Sequence, residues 1–368
     1  MHPLLVDSIR ALDEPSFRDL FQTFLVLQRY DLTPYVQLFG TLPEIEPARR
    51  GMVTVDAEAV QARQLVSEYV ELLRRFPRSG DLPSLAEAFW HAFGAAVGDR
   101  GPLECIRARR GLEPEYEQNF MLPLFSPQLR RLAPMRVLDF GCGLNRLAAA
   151  LQEDLRRVGR AVPTVIGVDV QLSEDARVDP EQKIHLHDIH ERPLAQVLDA
   201  PVDLVIAKYV LHHMTVAAQG TVMNDLASVL PPEGRLFILE ASVSTDGDDL
   251  ASFEDSLRGH TAWPSSDWVE PYRAWSRRFY RADARTQSML MCLEDTFGHV
   301  FLPGPRPGQA PMPLPYTYVD RTTLVEAARA AGLQPDADLS IVLGLPPSLK
   351  YGPPSSLYVF RRAPGGPS

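Results

Sequence analysis

The amino-acid sequence is poor in lysine and in cysteine. Only three of its 368 residues are lysine, so arginine supplies nearly all of the positive charge. The cysteines are Cys105, Cys142 and Cys292, an odd number with no C-x-x-C spacing. This pattern argues against a disulfide framework and against a cysteine zinc site. We therefore expect a reducing compartment.

Long apolar runs are also missing. The sequence contains no stretch of about 18 apolar residues, which is what a membrane-spanning helix requires. The first residues, MHPLLVDSIRALDEP, lack the basic stretch and the apolar core of a secretion signal. The sequence thus predicts a cytoplasmic protein that neither is secreted nor spans a membrane.

An excess of positive charge is absent as well. The chain has 47 acidic and 37 basic residues, which leaves a net charge of −10. A net negative charge repels polyanions, so we expect no nucleic-acid partner. With 45% apolar and 23% charged residues the composition is that of a globular protein. The length corresponds to roughly two to three domains.

The first 112 residues have helical patterning. The segment AEAVQARQLVSEYVELLRRF places apolar side chains at spacings of three and four, and SLAEAFWHAFGAAVG, from Ser84, has the same character. The patterning predicts a helical N-terminal domain or cap over residues 1–112. A second domain is predicted over residues 113–368.

From about residue 135 short apolar strands alternate with helices, a pattern typical of a parallel sheet with helices on both faces. The predicted strands are 136–140, 164–170, 183–187, 203–208 and 235–242, and the predicted helices between them are 144–159 and 215–230. Residues 246–318 break the alternation and are interpreted as an insertion. A helix over 320–333 and two antiparallel strands, in DLSIVLGL and SSLYVFRR, complete a predicted sheet of seven strands.

The segment VLDFGCGLNRLAAAL carries the main functional signal. A buried strand ends near Asp139, turns through Gly141 and Gly143, and enters a helix. Glycines at such a turn admit positive φ angles and let the backbone approach a ligand, and the N–H groups at a helix start attract negative groups. The next strand ends at Asp169, where a carboxylate can accept the hydroxyl hydrogens of an adenosine ribose. Together these features predict a nucleotide-like cofactor.

With these motifs the sequence resembles the class I S-adenosylmethionine-dependent methyltransferases over about residues 135–362. The resemblance implies a Rossmann-like α/β fold with a seven-stranded sheet whose last strand is antiparallel. It also implies S-adenosylmethionine as the cofactor and S-adenosylhomocysteine as its product. Asn145 stands where many members have a third glycine, and asparagine tolerates unusual backbone angles better than most residues.

The resemblance also implies roles for individual positions. The turn from Asp139 to Gly143 would wrap the methionine part of the cofactor, Asp169 would hold the ribose, and Asp188 would lie near the adenine amine. The segment VDLVIAKYVLHHM would face the transferring methyl group. The implied cofactor-binding residues are Asp139, Gly141, Cys142, Gly143, Asn145, Asp169, Val170, Asp188, Ile189, Ala207 and Tyr116. Alternatively, Tyr116 lies in the packing face of a capped helix.

Charge independently favours this cofactor over NAD. In an NAD site Asp139 would lie close to two negatively charged phosphates. S-adenosylmethionine has no phosphate, and its ammonium and sulfonium groups are cations. The sequence also lacks G-x-S-x-G and P-loop motifs, so hydrolase and kinase functions have no support.

Methyl transfer is an in-line displacement that needs few catalytic side chains. His212 and His213 follow the fourth strand and are the candidate bases, since imidazole titrates near neutral pH. Capping of the loop or packing is the alternative for each histidine. The candidate substrate contacts are Lys208, Tyr209, Trp263 and Trp268. Alternatively, Lys208 lies at a solvated strand end, and Trp263 and Trp268 are ordinary aromatic core residues.

Two further clusters are not assigned any chemistry. His185 and His187 share one face of a predicted strand while His190 falls beyond it, so we expect no metal site from these residues and Asp188. Cys142 is interpreted as a small residue in a crowded turn rather than as a nucleophile.

The sequence as a whole predicts an enzyme that methylates a small molecule, in specialised metabolism, with the 246–318 insertion as a substrate lid. Two alternatives stay open, namely a peptide or protein side chain as the acceptor, and a cofactor-binding module without methyl transfer. The acceptor atom and the oligomeric state are also open.

Overall fold

A computed structural model describes residues 3–27, 67, 70, 71, 73, 74, 84, 122–143, 145–170, 183–186, 191–241, 243, 244, 251, 269–296, 317, 318, 320–336, 342–345 and 355–363. The chain divides into two compact units. The first unit draws on residues 1–112, 243–316 and 346–354, and the second on 113–242, 317–345 and 355–368. The predicted domains, 1–112 and 113–368 with an insertion at 246–318, stay a prediction.

The second unit is built on one mixed sheet. Its strands are β1 (Arg136–Phe140), β2 (Thr164–Asp169), β3 (Lys183–Leu186), β4 (Leu204–Lys208), β5 (Arg235–Ala241), β6 (Leu333–Pro335), β7 (Val342–Leu345) and β8 (Ser355–Arg362). The order is β3-β2-β1-β4-β5-β8-β6, with β7 also paired to β8. Strands β1 to β5 are parallel, and β8 is antiparallel to β5. The predicted α/β sheet with a reversed last strand is therefore confirmed.

The predicted number of seven strands is wrong, because the described residues form a sheet of eight. The additional strand is β6, whose first residue was predicted to end the helix over 320–333. That helix stops at Ala330, and Gly332 follows it with φ +75°. A glycine in the left-handed region ends a helix readily, and Pro335 has no N–H to continue one. The residues after Gly332 are therefore extended and pair with β8.

Helices cover the sheet of the second unit. They are α3 (Leu122–Leu132), α4 (Arg146–Arg157), α5 (Val216–Ser228) and α8 (Arg321–Ala330), labelled by their order along the whole chain. Helix α4 buries Leu147, Leu151 and Leu155, which recur every four residues on one face. Burial of each leucine stabilises the fold by about 2 kcal/mol. This packing holds the start of α4 next to the end of β1.

The described part of the first unit is helical. Its helices are α1 (Pro3–Ala11), α2 (Pro15–Leu27), α6 (Val269–Arg281) and α7 (Ala284–Thr296). The indole of Trp275 is buried, stacks on Phe24 with ring centroids 4.4 Å apart, and donates its Nε1–H to the carbonyl of Leu20 at 3.0 Å. Helices from 3–27 and from 269–296 thus share one core. Within the described residues no helix is both long and apolar enough to cross a bilayer.

The start of α7 has a capping residue whose removal should be measurable. The carboxylate of Asp283 accepts hydrogen bonds from the N–H of Thr286 at 2.9 Å and from its hydroxyl at 2.8 Å. These bonds, the backbone one foremost, lower the pKa of Asp283. We expect Asp283→Ala to lower the free energy of unfolding of the first unit by about 1 kcal/mol at pH 7. Urea unfolding monitored by tryptophan fluorescence measures this difference.

The same cap has a defined pH dependence. Because folding lowers the pKa of Asp283, its charge stabilises the fold above the ordinary carboxyl pKa, and this contribution is lost as the pH falls through the lowered value. The stability difference between wild type and Asp283→Asn should therefore shrink as the pH is lowered below about 4. Ser288→Ala, at a half-buried site without a titratable group on the same helix, is the control. An undiminished difference at low pH would contradict the cap.

Candidate active site

The turn after β1 is attached to β2 by its backbone. The N–H groups of Gly141 and Cys142 both donate to the carbonyl of Val168, at 2.8 and 3.1 Å. Gly141 has φ +71° and Gly143 has φ +53°, angles that favour glycine. A Cβ on Gly141 would lie 2.7 Å from Cγ2 of Val210, whereas a Cβ on Gly143 would meet nothing within 4 Å. Gly141 is therefore needed for packing, and the space beside Gly143 is open to a ligand.

Asn145 closes the turn as the sequence predicts. Its backbone is left-handed, with φ 54° and ψ 28°, and the side chain is buried. Its N–H donates to the carbonyl of Cys142 at 2.8 Å, and α4 begins at the next residue. Asparagine is one of the few residues other than glycine that occupy this conformation readily, so the third glycine is not required.

The carboxylate of Asp169 lies at the turn. Strands β1 and β2 are neighbours, and their parallel register brings both carboxyl ends to one edge of the sheet. Oδ2 of Asp169 accepts a hydrogen bond from the N–H of Gly143 at 2.8 Å. Gly167 allows this close approach, since a Cβ there would lie 2.9 Å from Sγ of Cys142. The two sequence motifs, Gly141 to Gly143 and Asp169, thus form one site.

The turn has a negative electrostatic environment. Burial raises the pKa of the Cys142 thiol well above its usual value, and the carboxylates of Asp139 and Asp169 raise it further. The ammonium of Lys208 acts in the opposite direction but more weakly. The thiol therefore stays protonated at neutral pH and is not a nucleophile. Two carboxylates against one ammonium suit a ligand that carries positive charge.

The end of β4 lies next to this turn. Ala207 is fully buried and pairs with Phe140 of β1. Lys208 and Tyr209 follow it, both half-buried. Tyr209 has φ +52°, a strained angle for a residue with a side chain, and its N–H donates to the carbonyl of Leu239 at 2.8 Å. The chain thus turns sharply as it leaves the sheet.

A buried carboxylate organises the loop that follows. Glu240, on β5, accepts hydrogen bonds through Oε1 from the N–H groups of Val210 and Leu211, at 2.7 and 2.6 Å. Its Oε2 lies 2.7 Å from Nδ1 of His212. Glu240 and His212 are only 6% and 4% exposed. From α5, the amide of Gln219 donates to the carbonyl of Leu211 at 2.9 Å. The loop is therefore held from two sides.

This arrangement decides the tautomer of His212. An ionised carboxylate only accepts hydrogen bonds, so Nδ1 of His212 carries the hydrogen and Nε2 is the nitrogen able to take up a proton. His213 is half-buried, and its ring centroid lies 4.1 Å from that of His212. The two histidines lie side by side, but Glu240 distinguishes them.

Sequence reasoning missed Glu240 and Gln219. The signal for Glu240 is present in RLFILEAS, where a carboxylate interrupts an otherwise apolar buried strand. A buried carboxylate requires hydrogen-bond donors, and the loop after β4 lies beside β5 in a parallel sheet. Nothing in the sequence identifies Gln219, whose partners are backbone carbonyls.

Several predicted site residues lie outside the described part of the chain, namely Tyr116, Asp188, Ile189, Trp263 and Trp268. Val170 is described, follows β2, and is 62% exposed. In the described ranges no group of three or more histidine, cysteine, aspartate or glutamate side chains could hold a metal ion.

Comparison with known proteins identifies the family. A family model described as a methyltransferase domain matches residues 115–337, more than half of the chain. Those residues contain β1 to β6, the glycine turn after β1, Asp169 and His212. The chain belongs to this methyltransferase family.

The chain is similar to one curated protein and to solved methyltransferases. It is 25% identical to a highly reducing polyketide synthase, stpks1, of Strobilurus tenacellus over 263 residues, which are 69% of this chain and 9% of the synthase. The chain thus spans less than a tenth of the length of that relative.

Two solved methyltransferase structures are similar to the chain. The 1,6-didemethyltoxoflavin-N1-methyltransferase of Burkholderia thailandensis is 18% identical, with a TM-score of 0.36, over 73% of this chain and 92% of that chain. The S-adenosylmethionine-dependent methyltransferase SibL is 17% identical, with a TM-score of 0.43, over 84% of this chain and 76% of that chain.

Proposed function

We propose that this protein transfers a methyl group from S-adenosylmethionine to a small-molecule acceptor. One observation carries the proposal, namely the hydrogen bond between Gly143 and Asp169, which joins a glycine turn to a carboxylate at the carboxyl ends of adjacent parallel strands. Ligands of open α/β sheets bind at this edge. The open space beside Gly143 and the negative field fit a cofactor with an ammonium and a sulfonium group.

We assign the parts of the cofactor to residues as the family resemblance implies. The turn from Asp139 to Gly143 would hold the methionine part, and Asp169 would accept the ribose hydroxyls. The remaining assigned residues are Asn145, Val170, Asp188, Ile189, Ala207 and Tyr116. When bound, S-adenosylmethionine supplies an electrophilic methyl group on its sulfur.

We assign the general base to His212. Its Nδ1–H is held by Glu240, so Nε2 would take the proton from the acceptor as the acceptor bonds to the methyl carbon and the methyl–sulfur bond breaks, with S-adenosylhomocysteine as the leaving group. The adjacent carboxylate stabilises the resulting imidazolium. The low exposure of both side chains keeps water from competing for that proton. We assign this role to His212 because the carboxylate of Glu240 contacts its Nδ1, and we place His213, whose ring centroid lies 4.1 Å from that of His212, beside the base.

The acceptor is proposed to be a small molecule of specialised metabolism. The net charge of −10 disfavours nucleic acids, and the similarity to a polyketide synthase supports a biosynthetic role. Lys208 and Tyr209, at the end of β4, would contact this acceptor, together with Trp263 and Trp268.

Isothermal titration with S-adenosylmethionine, S-adenosylhomocysteine and NAD tests the proposal. We expect the first two to bind and NAD not to bind. Asp169→Asn keeps an oxygen for the N–H of Gly143, but it removes the negative charge and replaces the other oxygen, an acceptor for ribose hydroxyls in the proposal, with an NH₂ donor. It should therefore weaken both ligands by about 100-fold, the equivalent of about 3 kcal/mol.

Glu153→Gln, an exposed acid on α4, is the matched control and should leave both affinities unchanged. Equal affinities for wild type and Asp169→Asn would show that the ribose is not held there. Binding of NAD alone would replace the proposed function with that of a dehydrogenase.

A further inference from the structure

The imidazole of His212 has a third contact besides Glu240 and His213. The ring of Tyr318 lies parallel to it, with 9° between the planes and 5.5 Å between the centroids. The preceding residue, Thr317, donates its N–H to the carbonyl of His212 at 3.3 Å. Tyr318 is 6% exposed, so this contact is shielded from water.

These contacts leave the imidazole little freedom. Glu240 holds the ring at Nδ1, Thr317 holds the backbone of His212, and the ring of Tyr318 lies parallel to the imidazole in an offset stack. A hydrogen bond at Nδ1 by itself permits the ring to rock about that bond. A parallel, offset aromatic ring opposes this motion, because rocking would tilt the imidazole out of the stacked arrangement. Stacked rings also attract a cation, which favours the imidazolium formed by proton uptake.

We propose that Tyr318 is a positioning residue that keeps the imidazole of His212 in the plane where Nε2 faces the acceptor. The inference rests on the proposed role of His212 as the base. Tyr318 acts through His212 and is not itself assigned a contact with the cofactor or the acceptor. The chain reaches Tyr318 directly after residues 243–316 of the other compact unit.

Ring dynamics of His212 test this inference. The full chain is labelled with ¹³C-histidine and saturated with S-adenosylhomocysteine. The signals of His212 are assigned by their loss in His212→Gln. Relaxation dispersion of ¹³C then measures the population of the minor ring orientation. Tyr318→Leu keeps apolar volume but removes the flat face. We expect the minor population to rise about fivefold, since an aromatic stack contributes roughly 1 kcal/mol.

Two control variants separate positioning from general destabilisation. Tyr318→Phe retains the ring and should stay within about twofold of wild type. Tyr358→Leu removes a buried tyrosine from β8 in the same unit, so it should lower the Tm without changing the His212 signals. An unchanged minor population in Tyr318→Leu, or an equal rise in Tyr318→Phe, overturns the inference. If the wild-type protein does not bind S-adenosylhomocysteine, that result would instead overturn the proposed function.

Discussion

Replacing Glu240 by leucine is expected to lower the free energy of unfolding of the second unit by about 4 kcal/mol. The substitution leaves three buried donors without their acceptor, namely the N–H groups of Val210 and Leu211 and the Nδ1–H of His212. Each such group costs about 1–3 kcal/mol, and removal of the buried charge offsets part of the sum. Guanidinium unfolding followed by circular dichroism measures the difference.

Glu240→Gln separates the chemistry from the stability. Its amide oxygen can still accept from Val210 and Leu211, but its NH₂ group faces Nδ1 of His212 as a donor. The imidazole must then move its hydrogen to Nε2, so the base is lost. We expect a stability loss of about 1 kcal/mol together with a turnover lower by about 10²- to 10⁴-fold.

The readout is the release of S-adenosylhomocysteine with an accepted substrate, and the ¹⁵N shifts of His212 report the tautomer. Glu233→Gln, an exposed acid just before β5, is the matched control and should change neither quantity. If Glu240→Gln retained full turnover with a reversed tautomer, His212 could not be the base.

The second large effect is expected at Gly141. In Gly141→Ala the new Cβ would lie 2.7 Å from Cγ2 of Val210, and the backbone has φ +71°. Strain at a positive φ and overpacking each cost about 1–3 kcal/mol, so the free energy of unfolding should fall by about 3 kcal/mol. Displacement of Val210 also disturbs the loop that Glu240 holds. We expect the affinity for S-adenosylhomocysteine to fall at least about tenfold.

Two other glycines serve as matched controls for Gly141. Gly143 and Gly159 have φ +53° and +66°, and a Cβ on either would meet nothing within 4 Å. Alanine at each should therefore cost only the strain, about 1 kcal/mol. Gly143→Ala should nevertheless weaken S-adenosylhomocysteine, because its methyl group stands where the ligand approaches, whereas Gly159→Ala should not. Equal affinities for these two variants would contradict the placement of the cofactor beside Gly143.

Local patterns predicted most of the sheet. Strands β1 and β4 are short runs of buried apolar residues, and their predicted bounds agree with the structure to within one residue. The helices predicted at 144–159 and 215–230 are confirmed as α4 and α5. The eighth strand was missed because β6 has three residues, too few to show alternation, and its pairing with β8 is a tertiary contact.

The candidate site divides in the same way. The glycine turn and Asp169 were predicted because a strand, a turn and the end of the next strand leave local signals, and parallel pairing brings them together. Which histidine could act as a base was not predictable. His212 and His213 are adjacent in sequence, and the choice depends on Glu240, 28 residues away, and on Tyr318.

The sequence by itself determined the α/β class and the alternation of strands and helices, because these depend on short-range periodicity. It also determined the glycine turn and the carboxylate that faces it, because the turn depends on the backbone angles open to glycine and asparagine. The tertiary structure alone decided the eighth strand, the buried contact of Glu240 with the loop after β4, and the stacking of Tyr318 on His212. These contacts join residues far apart in the chain, and their energies depend on burial, which only the folded chain supplies.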